Sequence, residues 1–453
     1  MVNVRPNRMS FQDFTAAEAT DSPGRRRNSF LNSLGRRVDS LWPPSATVRL
    51  IFSQSEFRRS PSAIDSVSFF ARQPVRDSNR TICFPLFGRC LFNHSVRSGY
   101  LKETSLIVVK LGTGVLTDAA RQPDLIQMKQ LVAQIAGQHR AGREIVLVTS
   151  GAVGSGMGVL GHQRRPTGVA ELQACAAVGQ SRLMTTYQQL FAEHQLTTAQ
   201  VLLTHDDLED RDRHLNARNT LVNLLEHKVI PIINENDAVS YTELKFGDND
   251  RLSAMVACLL PADLLVVLTT ADGVVENFGT PEARVLEVVE KIDSRVEELA
   301  RGTKSVTAVG GMITKIQAAK IVTRAGIPVV IASGCKANVL ASILDGANEG
   351  TFFMPLEGKL TGRKRWIAFF HHPKGVIYVD EGAKVALREN GKSLLLVGVT
   401  RCEGDFESGE VVRICDGDGM EFARGISQFD AKAIGRPKEL KGEVVHRDDL
   451  VIL

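Results

Sequence analysis

The sequence has no run approaching the roughly 18 consecutive apolar residues that a membrane-spanning helix requires, so no such helix is expected. Cysteine is sparse. Cys83, Cys90, Cys175, Cys258, Cys335, Cys402 and Cys415 are dispersed, with no CxxC pair and no metal-ligand spacing. That excludes a disulfide scaffold and a cysteine-bound zinc site, and free thiols in a reducing, cytoplasmic setting are expected. His371 and His372 stand together without a cysteine or acidic partner at ligand spacing, so they are not read as metal ligands. There is no GxxxxGK[ST] loop and no HRD or DFG set, which argues against both P-loop and protein-kinase chemistry. Lysine is missing altogether from residues 1–100.

That last absence marks a seam. Residues 1–100 hold 15 Arg and 7 acidic residues, a balance of +8 in a chain whose net charge is +4, so residues 101–453 carry −4. A pI near 8.6 would suggest polyanion binding, but the excess positive charge is confined to the first stretch. The same stretch contains 15 Ser and 7 Pro, and its short apolar patches are broken before they complete a helix or a long strand. It reads as a weakly structured extension. Its Arg-rich, acid-poor balance resembles a transit peptide, yet it lacks a sustained amphipathic helix, so targeting is the lesser reading. The 453 residues suffice for two or three domains. The division expected is an extension at 1–102, an α/β domain at 103–356, a basic linker at 357–365 and a small β-rich domain at 366–447.

The character of the chain changes at Ser105. Residues 106–111 (LIVVKL) are mostly β-branched and apolar and lead into Gly112-Thr113-Gly114, with a long helix expected over 122–139. A second buried strand, 144–149 (EIVLVT), precedes Ser150 and a loop with four glycines in nine residues. Further strands are expected at 199–203, 229–233, 264–268 and 328–332, with helices between them. Apolar strands alternating with helices imply an α/β fold, a mostly parallel sheet covered by helices on both faces. Ligands in that architecture sit beyond the carboxyl ends of the strands.

Polar residues gather at those ends. Lys110 closes the first strand, and residues 150–158 offer backbone N–H groups suited to an anion. Asn234-Glu235-Asn236-Asp237 follows the fourth strand, and Lys245-Phe246-Gly247-Asp248-Asn249-Asp250 comes soon after. Gly310-Gly311-Met312-Ile313-Thr314-Lys315 opens a helix whose first turn carries Lys315. Each piece alone is an ordinary turn or strand end. Their convergence points to a phosphoryl-transfer pocket.

These stretches carry a resemblance. Residues 108–113 (VVKLGT), 148–154 (VTSGAVG), 231–239 (PIINENDAV), 246–250 (FGDND) and 310–315 (GGMITK) together resemble the glutamate 5-kinase family of the amino acid kinase superfamily. The resemblance spans roughly 103–445 and leaves out the first hundred residues. It implies phosphorylation of the γ-carboxylate of L-glutamate by Mg-ATP, the first step of proline biosynthesis. It also implies that Lys110 and Lys315 hold the transferring phosphoryl oxygens, with Asp250 organising the lysines and the Mg²⁺, which the ATP carries. Ser150, Asp237 and Asn249 would bind glutamate, with Asn234 and Asp248 nearby. Thr269, Gly310 and Gly311 would join the two lysines in binding the nucleotide. A homo-oligomer and feedback inhibition by proline are further expectations of the resemblance. Two departures fall in the nucleotide region: Thr270 stands where the family has Asp, and Ala308-Val309 stand where it has Gly-Thr.

Beyond the basic hinge, short strands are expected at 375–379, 383–387, 393–397, 410–414 and 422–426, a spacing that suggests a small β-barrel-like domain. Residues 382–399 and 426–434 resemble the PUA domain. Relatives of that domain bind RNA, but this segment is rich in acidic residues and shows no aromatic-basic stacking surface, so nucleic acid is not expected as a partner. Two other readings stay open: a kinase of the same fold acting on acetylglutamate, aspartate or carbamate, and an RNA-associated scaffold with idle site lysines.

Overall fold

The computed structural model describes residues 97–118, 123–239, 249–301, 311–356, 360, 362–370, 373–435 and 442–453, together with three short strands nearer the N-terminus. Those strands, Thr47–Val48, Phe70–Arg72 and Ile82–Cys83, pair antiparallel in a sheet of their own. The two histidines at 371 and 372 lie outside the described residues.

Eight strands form the main sheet. In chain order they are β1 (Leu106–Leu111), β2 (Glu144–Val148), β3 (Thr198–Leu203), β4 (Ile230–Glu235), β5 (Leu264–Thr269), β6 (Val288–Val289), β7 (Val329–Ser333) and β8 (Thr351–Phe353). Their spatial order is β6-β8-β7-β5-β1-β2-β4-β3. All neighbours are parallel except β8 and β7, so the mostly parallel expectation holds with two strands, β8 and the edge strand β6, reversed against the other six. The chain winds outward from β1 through β2 and then restarts at β5 on the other side of β1. Residues at the carboxyl ends of β1 and β5 therefore face the switch point, where open α/β sheets bind ligands.

The central strands are continuous apolar runs because both faces are covered. Their period of two sorts side chains into two clusters. Val108, Val146, Val148, Ile233, Leu265, Val267 and Ile331 share one core with α5 (Asn249–Leu259) and α6 (Met312–Arg324). Ile107, Val109, Leu111, Ile145, Leu147, Ile232, Val266 and Val330 share the other with α1 (Leu125–Arg140) and α3 (Val169–Ala192). Each fully buried branched side chain contributes about 1.5–3 kcal/mol, so this alternation also fixes strand register. It has a direct consequence for Lys110, two residues after Val108: its side chain must emerge on the α5–α6 face.

Two helices approach unusually closely. α2 (Ala152–Val159) follows the Ser150 loop and packs along α3. A Cβ at Gly156 would lie 1.8 Å from the Cys175 carbonyl oxygen, and one at Gly179 would lie 1.8 Å from that of Ala152. Only glycine lets the two backbones meet this way.

After β8, a turn of helix (Gly362–Arg365) runs into a π-helical turn, Trp366–Phe370, whose Trp366, Ile367 and Phe370 join the α5–α6 core rather than a separate one. The Arg211 guanidinium, at the start of α4 (Arg211–Glu226), lies 5.0 Å from the Trp366 ring centre, and the His214 ring of the same helix packs edge-on to Phe370 at 4.7 Å. The C-terminal domain is strand-rich. β9 (Gly375–Val379), β10 (Val399–Gly404), β11 (Val411–Cys415), β12 (Glu421–Ile426) and β13 (Leu450–Ile452) form one sheet in the order β10-β9-β11-β12-β13. Residues 383–387, expected as a strand, lie instead in α7 (Glu381–Arg388). The Asp380 carboxylate accepts a hydrogen bond from the Ala383 N–H at 2.7 Å and so caps the helix; this satisfies a first-turn donor that a strand would have left to a neighbour. Of 393–397, only Leu394–Leu395 is extended.

Among the described residues no helix is long and apolar enough to cross a membrane. Cys175, Cys258, Cys335, Cys402 and Cys415 are free thiols.

Candidate active site

Three elements deliver charge to the switch point. β1 carries Lys110 to the α5–α6 face, the first turn of α5 carries Asp250, and the first turn of α6 carries Lys315; all three side chains are buried. The Lys110 ammonium lies 2.5 Å from Asp250 Oδ1, and the Lys315 ammonium lies 3.0 Å from Asp250 Oδ2. Thr314 donates its hydroxyl to the same Oδ2 at 2.7 Å. Burial pushes the Asp250 carboxyl up, but the two ammonium groups and the hydroxyl outweigh it and hold the pKa down at about 2. The carboxylate stays charged and fixes two cations side by side. The net positive charge left over is what a phosphoryl group needs.

A second set of residues lies beside this triad and is almost wholly amide. Asn249, adjacent to Asp250, donates through Nδ2 towards the Thr149 carbonyl (2.7 Å), the Ser150 hydroxyl (3.1 Å) and Asn234 Oδ1 (2.9 Å). Asn234 Oδ1 also accepts from the Glu235 backbone N–H at 2.9 Å, and Asn234 Nδ2 donates to Gln180 Oε1 at 2.8 Å. Beneath them the Thr149 hydroxyl meets the buried Tyr187 hydroxyl at 2.7 Å. The loop then turns at Gly151, whose φ of +103° is the left-handed region that favours glycine. A cavity of about 190 Å³ opens next to this network, lined by residues that include Gln180, Gln200, Glu235, Asn236 and Asp237. Burial raises the Asp237 carboxyl to about 6, against the lowering influence of Arg165.

The structure thus brings Lys110, Asp250 and Lys315 into one cluster and Ser150, Asn234 and Asn249 into the adjoining one, with Asp237 on the cavity. Thr269 ends β5, where its carbonyl accepts from the Gly334 N–H at 2.8 Å, and Gly311 caps the start of α6. Asp248 and Gly310 lie outside the described residues. Gln180, Tyr187 and Thr314 were not singled out from sequence. Thr314 sits beside Lys315 and could have been included with it. Gln180 and Tyr187 lie within a long helix, where nothing local marks them.

Comparison with known proteins identifies the family. The model of the amino acid kinase family matches residues 105–333, and that of the PUA domain matches residues 375–448. A glutamate 5-kinase of Moorella thermoacetica is 46% identical over 368 residues, covering 78% of this chain and 97% of that protein. Those of Geobacter sulfurreducens and Yersinia pestis are each 44% identical, covering 79% and 78% of this chain and 100% of each relative. The chain belongs to the glutamate 5-kinase family. The clustered lysines fall within the residues 105–333 matched by the amino acid kinase family, and the strand-rich C-terminal domain is the PUA domain.

Proposed function

We propose that the protein transfers the terminal phosphoryl group of ATP to the γ-carboxylate of L-glutamate, giving γ-glutamyl phosphate and ADP, the first step of proline biosynthesis. The observation that carries this reading is the buried Lys110–Asp250–Lys315 bridge at the switch point of a chain in the glutamate 5-kinase family. The γ-carboxylate is already ionised at neutral pH, so no general base is required of the protein. Lys110 and Lys315 hold the oxygens of the transferring group from two directions, where negative charge spreads in the transition state. Asp250 keeps both ammonium groups aimed and spaced. Ser150, Asn249 and Asp237 position glutamate, with the Asp237 carboxylate suited to its ammonium group. Asp248 is proposed as a neighbour of that site, and Thr269, Gly310 and Gly311 as part of the nucleotide site.

Reaction with ATP in this family implies Mg²⁺. The Asp250 oxygens are committed to Lys110, Lys315 and Thr314, and no group of three or more His, Cys, Asp or Glu among the described residues would hold a metal ion. That donor set fits a cation carried in by the triphosphate, with Asp250 ordering the lysines around it; the ion would supply charge neutralisation on the phosphate oxygens. A homo-oligomer, inhibition by proline and a cytoplasmic location are proposed on the same family grounds.

The test is ADP release with L-glutamate, N-acetylglutamate and L-aspartate, repeated for Lys110→Ala. Turnover on glutamate alone, lost in the variant, is expected. Turnover on aspartate or acetylglutamate in place of glutamate, or full activity of Lys110→Ala, overturns the assignment.

A further inference from the structure

The first turn of α6 puts two hydrogen-bond donors on one oxygen of Asp250. The Lys315 ammonium lies 3.0 Å from Oδ2 and the Thr314 hydroxyl donates to the same atom at 2.7 Å, while Lys110 holds Oδ1. The two donors differ in kind. Lys315 is a cation on a flexible four-carbon stem with three N–H groups to distribute. Thr314 is β-branched and stiff, and its one hydroxyl hydrogen has two acceptors within reach, Asp250 Oδ2 and the Gly311 carbonyl at 2.9 Å. The second is the usual i−3 contact of a helical threonine, so the hydroxyl is anchored to the turn itself.

α6 opens with Gly311, which has no side chain to cap the first-turn N–H groups. Those N–H groups and Lys315 share one turn, an arrangement that draws a phosphoryl group to both. Lys315 then serves two anions, the phosphoryl oxygens and Asp250 Oδ2. As negative charge spreads over the phosphoryl oxygens in the transition state, the pull on the ammonium shifts towards them. Asp250 is only 2% exposed, so an oxygen that loses the lysine must find its replacement within the protein.

We propose that Thr314 is a positioning residue: its hydroxyl stays on Asp250 Oδ2 while Lys315 turns to the transferring phosphoryl group, so the lysine is released without stranding the buried carboxylate. Lys110, in contact with the other oxygen, keeps its place. This rests on the phosphoryl-transfer reading above and adds to it the group that frees one of the two lysines.

The role requires the hydroxyl and not the shape of the side chain. Thr314→Val keeps the branched shape and removes the donor, whereas Thr314→Ser keeps the donor and removes the branch. Thr314→Val should lower kcat for ADP release with L-glutamate about 10- to 100-fold, the scale of one hydrogen bond to a charged group. KM for glutamate and for ATP should stay within about threefold, because the loss is felt as the lysine turns and not as the substrates bind. Thr314→Ser should recover kcat to within about threefold of wild type. A side chain that only fills space would give the reverse order, a near-wild-type valine variant and an impaired serine variant, and that order overturns the proposal. An equal fall in both variants overturns it too. Thr314→Ala gives the same test should Thr314→Val fail to fold: wild-type kcat in the folded alanine variant refutes the role. A wild type that releases no ADP with glutamate overturns the functional reading instead, and Thr314 is then judged by urea unfolding at pH 7. A donor to Asp250 should make Thr314→Val shift the midpoint more in the native background than beside Asp250→Asn, which offers a weaker acceptor. Equal shifts in the two backgrounds overturn the role of Thr314 as well.

Discussion

Asp250→Asn removes the one charge that holds two buried ammonium groups together while preserving the shape of the side chain. In the native protein the carboxyl is displaced from its ordinary 3.8 to about 2, which corresponds to roughly 2–3 kcal/mol of folding stability at neutral pH. Because the folded value is depressed, this contribution is fully present above about pH 4 and is lost as the pH falls towards 2. The variant forfeits it at every pH. That loss is part of a larger cost, because Lys110 and Lys315, both at most 6% exposed, are left facing each other without a counter-charge, and breaking a buried pair by removing one partner costs about 3–5 kcal/mol in all. Urea unfolding at pH 7 should therefore show Asp250→Asn less stable by about 3–5 kcal/mol, with the gap narrowing as both proteins are taken from pH 5 to pH 3. Turnover should fall about 10²–10³-fold, chiefly in kcat, because misplaced cations fail the transition state more than the bound substrate. ADP release and the two denaturation series check this. A variant with wild-type midpoint and wild-type kcat would refute the reasoning that Asp250 is the organiser of the two lysines.

Two further outcomes follow from the geometry. Burial raises Asp237 to about 6, so kcat/KM for glutamate should decline about tenfold per pH unit below 6 as the carboxylate that meets the ammonium group is protonated. Asp237→Asn should flatten that limb; a wild-type profile level from pH 7 to pH 5 counts against the role. Gly179→Ala would place a methyl 1.8 Å from the Ala152 carbonyl oxygen and force α2 away from α3, costing about 3 kcal/mol or more in thermal or chemical denaturation. An unaltered melting temperature would mean that the helices do not approach as described.

The main sheet was legible because buried parallel strands are written as continuous apolar runs. The strand expected at 264–268 is Leu264–Thr269, and the one at 328–332 is Val329–Ser333. The C-terminal domain was less legible. Val399–Gly404 is an edge strand that buries little apolar surface, and its sequence VTRCEG gives no alternation to read. Residues 383–387 mix Val and Leu with small residues in a pattern that satisfies both periods. The Asp380 cap decided between them, a single hydrogen bond outweighing a weak β propensity. The segment Trp366–Phe370 reads as the start of a new domain in sequence, yet its side chains fill the core of the preceding one.

By itself the sequence determined the alternating α/β architecture, the glycine-rich turns, and the placement of Lys110, Asp250 and Lys315 at strand or helix ends. These are local matters, set by periods of two and of 3.6 residues and by turn chemistry. Only the tertiary structure decided that a lysine on β1 meets a carboxylate 140 residues later and a lysine a further 65 on. That meeting depends on strand order and on which face of β1 the helices α5 and α6 cover. The polarity of Gln180 is of the same kind. Nothing near position 180 states whether its oxygen or its nitrogen meets Asn234; a backbone N–H at Glu235, brought to Asn234 by the end of β4, settles it.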